Sequence, residues 1–173
     1  MRKLVETPDY EVVKQIEEVE IRRYPPILLA TAKGEYDLFG YLFNYISGEN
    51  KGSQKISMTA PVITPEKIAM TAPVVTNGDT MSFIVPSKYT RETVPEPTDP
   101  HIAIQEQPAK SMAVLRFSGW ARSGKVEKEK QQLLETLKRN NIEPKGEVVL
   151  MRYNSPFTPG FLRRNEVAVE VNI

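Results

Sequence analysis

The chain contains a near-duplicate block, which reads KISMTAPVIT over residues 55–64 and KIAMTAPVVT over residues 67–76. Eight of the ten positions are identical, and the second copy starts twelve residues after the first. In the first copy Ile56, Met58, Ala60 and Val62 alternate with other residues, which is the period of a half-buried strand. An even offset directs equivalent side chains of both copies to the same face of a sheet. The block therefore predicts a β-rich fold.

Further strands are predicted on both sides of this block. The segments 10–16 and 19–32 are rich in β-branched and aromatic residues, although Pro25 and Pro26 interrupt the second and favour a bulge or an edge position there. Another strand is predicted over residues 80–85, after the turn sequence Asn77-Gly78-Asp79. Strands are also predicted over 101–106, 111–119, 148–153 and 166–171.

Two segments have helical periodicity. The first starts after Asp37, a plausible N-cap, and ends before Gly48. The second is predicted from Ser123, as its cap, to about Asn140.

The order of these elements suggests an internal repeat. Residues 10–86 and 101–171 each read strand, strand, helix, strand, strand, joined by the proline-rich segment 86–100. We therefore predict an α+β fold: a distorted antiparallel β-barrel of about eight strands with two flanking helices, built from two ββαββ pseudo-repeats. Because each half alone would be small, the prediction is one domain over residues 1–173.

The composition excludes several classes of protein. The 173 residues carry a formal net charge of +1, whereas nucleic-acid binders usually have a basic excess. The absence of cysteine rules out disulfides and thiolate metal sites. No segment has the length and apolar character of a membrane span, and the first residues lack the apolar core of a secretory signal. We expect a cytoplasmic protein that contacts neither nucleic acid nor membrane.

Catalytic motifs are also missing. Glu147, Glu166 and Glu170 could act as general bases only if a second group were paired with them, and no pattern supplies one. A phosphate loop, a Ser/His/Asp arrangement and a dinucleotide fingerprint are absent. We predict that the protein is not an enzyme.

Two residue types could ligate iron. Met58 and Met70 offer thioether sulfur, although alternating Met and Val also pack well in a sheet. The single histidine, His101, follows a proline-rich segment and is expected at the solvated surface. A metal ligand is therefore left unassigned.

Large apolar residues in a late loop indicate a ligand site. The segment 154–164 reads NSPFTPGFLRR and places Phe157, Phe161 and Leu162 directly before Arg163 and Arg164. Aromatic walls and guanidinium groups suit a flat apolar ligand that carries carboxylates. The alternative is that these aromatic residues merely close the open end of the barrel.

Several stretches together resemble the SOUL haem-binding family. They include YEVVKQIEEVEIRRYPP, YLFNYISGEN, the two MTAPV segments, SFIVPSKYT, MAVLRFSGWA and YNSPFTPGFLRRNEVAVEV. The resemblance runs from about residue 10 to residue 171, and the doubled MTAPV segment resembles the prokaryotic branch.

The resemblance implies a cytoplasmic protein that binds haem or another porphyrin in a groove between the first helix and the loop before the last strand. Some members have a histidine upstream of the first helix, and this chain has none there. Hydrophobic contact and pairing of propionates with arginine would then hold the haem. Carried over position by position, the contacts are Leu38, Phe39, Leu42, Phe43, Phe157, Phe161, Leu162, Arg163 and Arg164.

The two-half architecture also resembles the effector-binding domains of the GyrI-like group. This likeness is at the level of the fold and implies an alternative function, namely an effector-type module or sensor for another apolar small molecule.

Overall fold

The structure, a computed structural model, describes residues 6–65, 79–154 and 158–173. Over these residues the chain forms nine strands and two α-helices. The strands are Glu11–Ile16 (β1), Val19–Tyr24 (β2), Ile27–Gly34 (β3), Val62–Pro65 (β4), Asp79–Ile84 (β5), Ile102–Gln107 (β6), Lys110–Ser118 (β7), Pro144–Arg152 (β8) and Arg164–Val171 (β9). The helices are Leu38–Ile46 (α1) and Ser123–Arg139 (α2). The predicted α+β class with two helices is confirmed.

The chain forms two compact units. The first contains β3, β4, β5, β6 and α1, and the second contains β1, β2, β7, β8, β9 and α2. Strand pairs within each unit are antiparallel. Because β1 and β2 belong with the later strands, the units do not coincide with the two halves of the sequence.

In the first unit, α1 covers the sheet β4-β5-β3-β6. Asp37 caps the helix as predicted, since its Oδ1 accepts a hydrogen bond of 3.0 Å from the backbone N–H of Gly40. Leu42, Tyr45 and Ile46 are the buried face of α1 and pack in a core with residues of β3 and β5. The opposite flank of this short helix is therefore left to the surface.

In the second unit, α2 covers one face of the sheet β1-β2-β7-β9-β8. The alternation of β2 and β9 decides which residues face the helix: Val19 and Ile21, with Val167 and Val169, join Leu133 of α2 in one apolar core. The residues between them point to the other face. Ser123 is the first residue of α2 rather than its cap, because Arg122 takes the capping position without a side-chain hydrogen bond.

The prediction of one interrupted strand over residues 19–32 is wrong. Pro25 and Pro26 separate β2 from β3, and the two strands belong to different units. Proline has no backbone N–H to donate to a neighbouring strand, so two in succession end the ladder instead of bending it.

The strand prediction for the first MTAPV copy holds over its last residues alone. β4 begins at Val62, whereas residues 53–58 have no regular structure and Thr59 forms an isolated bridge with Glu6. Met58 is exposed, so it does not pack in the core as the alternation suggested. The alternation of apolar residues predicts a strand here, but the Thr59 hydroxyl donates a hydrogen bond to the carbonyl of Ile84 and favours an irregular backbone. The second copy, with Met70, lies outside the described residues.

One buried hydrogen bond ties α1 to the proline-rich connection. The Tyr45 hydroxyl donates to the carbonyl oxygen of Pro95 at 2.6 Å, and both residues are buried. Replacing Tyr45 with Phe leaves that carbonyl without its donor. We expect Tyr45→Phe to lower the free energy of unfolding by about 1–3 kcal/mol, measured by urea denaturation.

The matched control is Tyr36→Phe, which removes the same hydroxyl from an exposed ring. It should leave the free energy of unfolding within about 0.5 kcal/mol of the unmodified chain. Equal stability of both variants would show that the Tyr45 bond does not stabilise the first unit.

Candidate functional site

The predicted helix residues lie on α1 in the first unit, but they do not share one environment. Leu42 is fully buried in the core and supports the helix from below, and Leu38 is half-buried. Phe39 and Phe43 are exposed and stack on each other with ring centroids 6.1 Å apart. Phe39 also meets the edge of Phe83 at 5.8 Å. α1 thus presents two aromatic rings to solvent on a rigid base.

The predicted loop residues lie before β9 in the second unit. Residues 160–162 form a single 3-10 turn. Phe161 is 78% exposed and Leu162 is 61% exposed, which is unusual for large apolar side chains in a short ordered turn. Phe157 lies outside the described residues.

Arg163 and Arg164 are adjacent in sequence but have different surroundings. The guanidinium of Arg163 lies over the ring of Trp120, 4.2 Å from its centroid, and its Nε donates to the carbonyl of Thr158 at 2.9 Å. Arg163 therefore lies against Trp120, directly after the turn that carries Phe161 and Leu162. The guanidinium of Arg164 instead lies over the ring of Tyr153 and donates to Glu166 Oε2 at 3.0 Å.

Glu166 is the centre of a buried charged network in the second unit. Its side chain is 0% exposed and accepts two hydrogen bonds from Arg22, at 2.8 Å and 2.7 Å, in the bidentate geometry of a carboxylate–guanidinium pair. Arg22 also donates to the Tyr24 hydroxyl and to Glu20. Arg164 supplies the second cation that contacts this carboxylate.

These cations set the protonation state of Glu166. Burial alone would raise the pKa of its carboxyl, but the hydrogen bonds and charge of Arg22, with the charge of Arg164, lower it below the ordinary value of 4.5. An ionised carboxylate held between two guanidinium groups is a poor general base. Among the other predicted acids, Glu147 is exposed and Glu170 pairs loosely with Lys145 at 3.7 Å.

His101 is exposed, as the sequence predicts, yet its ring is well held. Its Nδ1 lies 2.7 Å from Asp99 Oδ1, and the ring stacks on Tyr41 with centroids 4.3 Å apart. Burial would raise the pKa of Asp99, but the backbone N–H and the side chain of His101 lower it below its ordinary value. These contacts describe an anchored surface histidine. In the described ranges, no group of three or more His, Cys, Asp or Glu side chains is arranged to hold a metal ion.

A shallow cavity of about 500 Å³ lies elsewhere in the second unit. Its lining combines polar residues, among them Arg23, Lys110 and Glu170, with the apolar residues Val171 and Ile173. None of the predicted contact residues lines it. The candidate surface of the second unit is therefore the exposed turn at Phe161, not this cavity.

Two important residues lie outside the set predicted from the sequence. Trp120 is one of them; the available signal is a tryptophan directly after Gly119, since tryptophan is enriched at binding surfaces. Arg22 is the other. The alternation of β2 predicts a polar face but does not indicate that this face is buried.

Comparison with family models identifies the chain. It matches the model described as SOUL heme-binding protein over residues 5–170, which is nearly its full length. The protein belongs to the SOUL heme-binding family. A search of curated proteins found no match.

Solved structures show similarity of fold at low sequence identity. The C-terminal domain of EcmrR has a TM-score of 0.64 and 10% identity, covering 94% of this chain and 98% of that chain. A hydrolase from Listeria innocua has a TM-score of 0.59 and 8% identity, covering 92% and 94%. SAV2435 bound to tetraphenylphosphonium has a TM-score of 0.50 and 8% identity, covering 90% and 94%. At these identities the likeness concerns the fold alone.

Neither helix in the described residues has both the length and the apolar character to cross a bilayer.

The network around Glu166 generates a stability prediction. Glu166→Gln removes the negative charge between two buried or partly buried guanidinium groups. We expect the free energy of unfolding to fall by about 3–5 kcal/mol in denaturant titrations at neutral pH. Because the folded-state pKa is lowered, the contribution of Glu166 is present above pH 4.5 and is lost as the pH falls through the folded-state pKa. The variant should therefore show a smaller acid-dependent loss than the unmodified chain.

The control is Glu170→Gln on the same strand, where a partly exposed carboxylate faces Lys145. It should change the free energy of unfolding by no more than about 1 kcal/mol. If both variants lost the same amount, the buried pair would not be the dominant charge interaction of this unit.

Proposed function

We propose that this protein binds haem or another porphyrin and acts as a carrier or buffer for it. Membership of the SOUL heme-binding family supports the ligand class. The observation that carries the proposal is the exposed apolar turn, where Phe161 and Leu162 stand in solvent beside the guanidinium of Arg163. A porphyrin has a flat apolar face and acidic edge groups, so it matches both properties of this surface.

The residues present fit such a ligand through its macrocycle and its propionates. Exposed aromatic rings gain about 25 cal/mol for each square ångström of apolar surface that a ligand covers. An arginine–carboxylate contact adds charge-assisted hydrogen bonds. We assign Phe161, Leu162 and Arg163 to direct contact, with Phe39 and Phe43 as predicted contacts on α1. Leu38 and Leu42 support that helix, Phe157 remains a predicted contact, and Arg164 acts through its network with Glu166.

We assign no axial ligand to the iron. His101 is held by Asp99 and Tyr41, and Met58 stands in a segment without regular structure. Haem supplies iron redox and ligand-binding chemistry when it is bound, but a carrier needs reversible binding rather than this chemistry. A binding role, not catalysis, also agrees with the fully paired state of Glu166.

Haem titration tests the proposal. We expect the Soret band to shift and saturate on adding haem to the purified chain. Arg163→Ala and Phe161→Ala should each weaken the affinity about ten- to hundredfold, because a charge-assisted hydrogen bond or a covered aromatic ring contributes roughly 1.5–3 kcal/mol. His101→Ala should leave the affinity unchanged. Arg139→Ala is the matched control, since it removes an exposed arginine at the end of α2.

Haem dimethyl ester identifies the role of Arg163. Because its acidic groups are blocked, it should bind the unmodified chain and the Arg163→Ala variant with equal affinity.

A transfer experiment tests the carrier role. Haem bound to this protein should pass to apomyoglobin, since a carrier must release its cargo. A flat Soret response up to tens of micromolar would eliminate the haem assignment, and loss of binding in His101→Ala would show that the site lies elsewhere.

A second candidate is the binding of another apolar small molecule. It is supported by the same exposed surface, which carries no feature that requires iron, and by the fold shared with SAV2435 bound to tetraphenylphosphonium. Thermal unfolding with metal-free protoporphyrin or tetraphenylphosphonium distinguishes the candidates, because a ligand of the native state raises the Tm. A rise of the Tm with tetraphenylphosphonium, but with neither haem nor metal-free protoporphyrin, would favour this second function.

A further inference from the structure

Trp120 is a large exposed side chain outside the predicted contact set. It is the single tryptophan of the sequence, it follows β7, and its side chain is 51% exposed. Its backbone is anchored: Asn165 donates to the carbonyl of Gly119 at 2.9 Å, and the Arg122 N–H donates to the carbonyl of Trp120 at 2.8 Å. An anchored tryptophan that remains half in water exposes apolar area that a ligand could cover.

The turn before β9 holds the indole from the side. A Cβ on Gly160 would lie 2.6 Å from the Trp120 Nε1 and 2.8 Å from its Cε2, closer than side-chain atoms approach one another. The position therefore accepts glycine because the ring edge occupies the space that any side chain would need. This contact fixes the indole against the same turn that carries Phe161 and Leu162.

The guanidinium of Arg163 lies over the indole and places a positive charge next to it. Its guanidinium carbon is 4.2 Å from the ring centroid, a cation–π distance, and the hydrogen bond from its Nε to Thr158 limits its rotation. Trp120 and Arg163 thus contact each other beside the turn that carries Phe161 and Leu162, and we call these four residues the Trp120 shelf. The shelf combines three apolar side chains with one cation.

We propose that Trp120 is a ligand-contact residue and that the Trp120 shelf selects flat, conjugated molecules with acidic groups. This inference rests on the proposed porphyrin-binding function and extends it to a residue outside the predicted contact set. The apolar members suit a conjugated ring, and the guanidinium suits a carboxylate at the edge of that ring. A flat cation would meet the same apolar surface but would be repelled by Arg163.

Soret titrations of shelf variants test the inference. We expect Trp120→Ala to weaken haem binding about tenfold and Trp120→Phe to weaken it by about threefold or less, because Phe keeps an aromatic face. Gly160→Ala should also weaken binding, since it displaces the indole without removing it. The matched control is Val13→Ala, which truncates an exposed apolar residue of β1 in the same unit. Thermal unfolding of each variant confirms folding, and a half-exposed side chain should be removable without unfolding the chain.

Tryptophan emission and the affinity for a cationic porphyrin provide two further tests of the inference. The emission maximum of the single tryptophan should shift in Gly160→Ala before any ligand is added, which reports that the ring has moved. A tetracationic N-methylpyridyl porphyrin should bind the unmodified chain at least tenfold more weakly than haem. If haem binds the unmodified chain but Trp120→Ala or Gly160→Ala retains full affinity, the assignment of Trp120 is overturned. Equal binding of the cationic porphyrin overturns the charge selectivity, whereas no Soret change in the unmodified chain removes the proposed function and this inference with it.

Discussion

The bidentate pair between Arg22 and Glu166 is the interaction on which the second unit depends. The two residues lie on β2 and β9, which are not neighbours, because β7 runs between them. Both side chains are withdrawn from water, at 2% and 0% exposure, so removing either one would leave a buried charge without its main partner. The pair therefore fixes the relative position of strands from the two ends of the chain. It also requires the alternation that sends Val19, Ile21 and Val167 to the α2 side of the sheet.

The neighbouring residues Arg163 and Arg164 differ in whether they belong to this charged network. Arg164 is committed to Glu166 and Tyr10, whereas Arg163 is turned toward Trp120 and the exposed turn. Side chains alternate between two faces along extended backbone, so Arg163, directly before β9, and Arg164, its first residue, have different partners. The charge that stabilises the sheet and the charge that lies over Trp120 thus come from adjacent residues. The structural role of Arg164 and the ligand contact proposed for Arg163 are separated by one step along the backbone.

Sequence patterns predicted regular elements well and side-chain environments less well. Apolar periodicity predicted α1 and α2, and the turn residues predicted β5 to within one residue. The pattern failed over residues 55–61, where alternation suggests a strand but the Thr59 hydroxyl and Pro61 favour an irregular segment. Leu42 and Phe43 are both apolar and adjacent, yet one is core and the other is exposed. Composition cannot distinguish them, because the direction of a helix face depends on what packs against it.

The sequence by itself determined the α+β class, the family, and the presence of aromatic residues and arginines before the last strand, since these follow from local periodicity and from motifs that lie in order along the chain. The tertiary structure alone decided that β1 and β2 join the later strands, that Glu166 is a paired structural charge, and that Trp120 stands beside Arg163. These features depend on contacts between residues far apart in sequence. Such contacts are set by the register of strands and the packing of side chains, for which one-dimensional patterns carry no distance information.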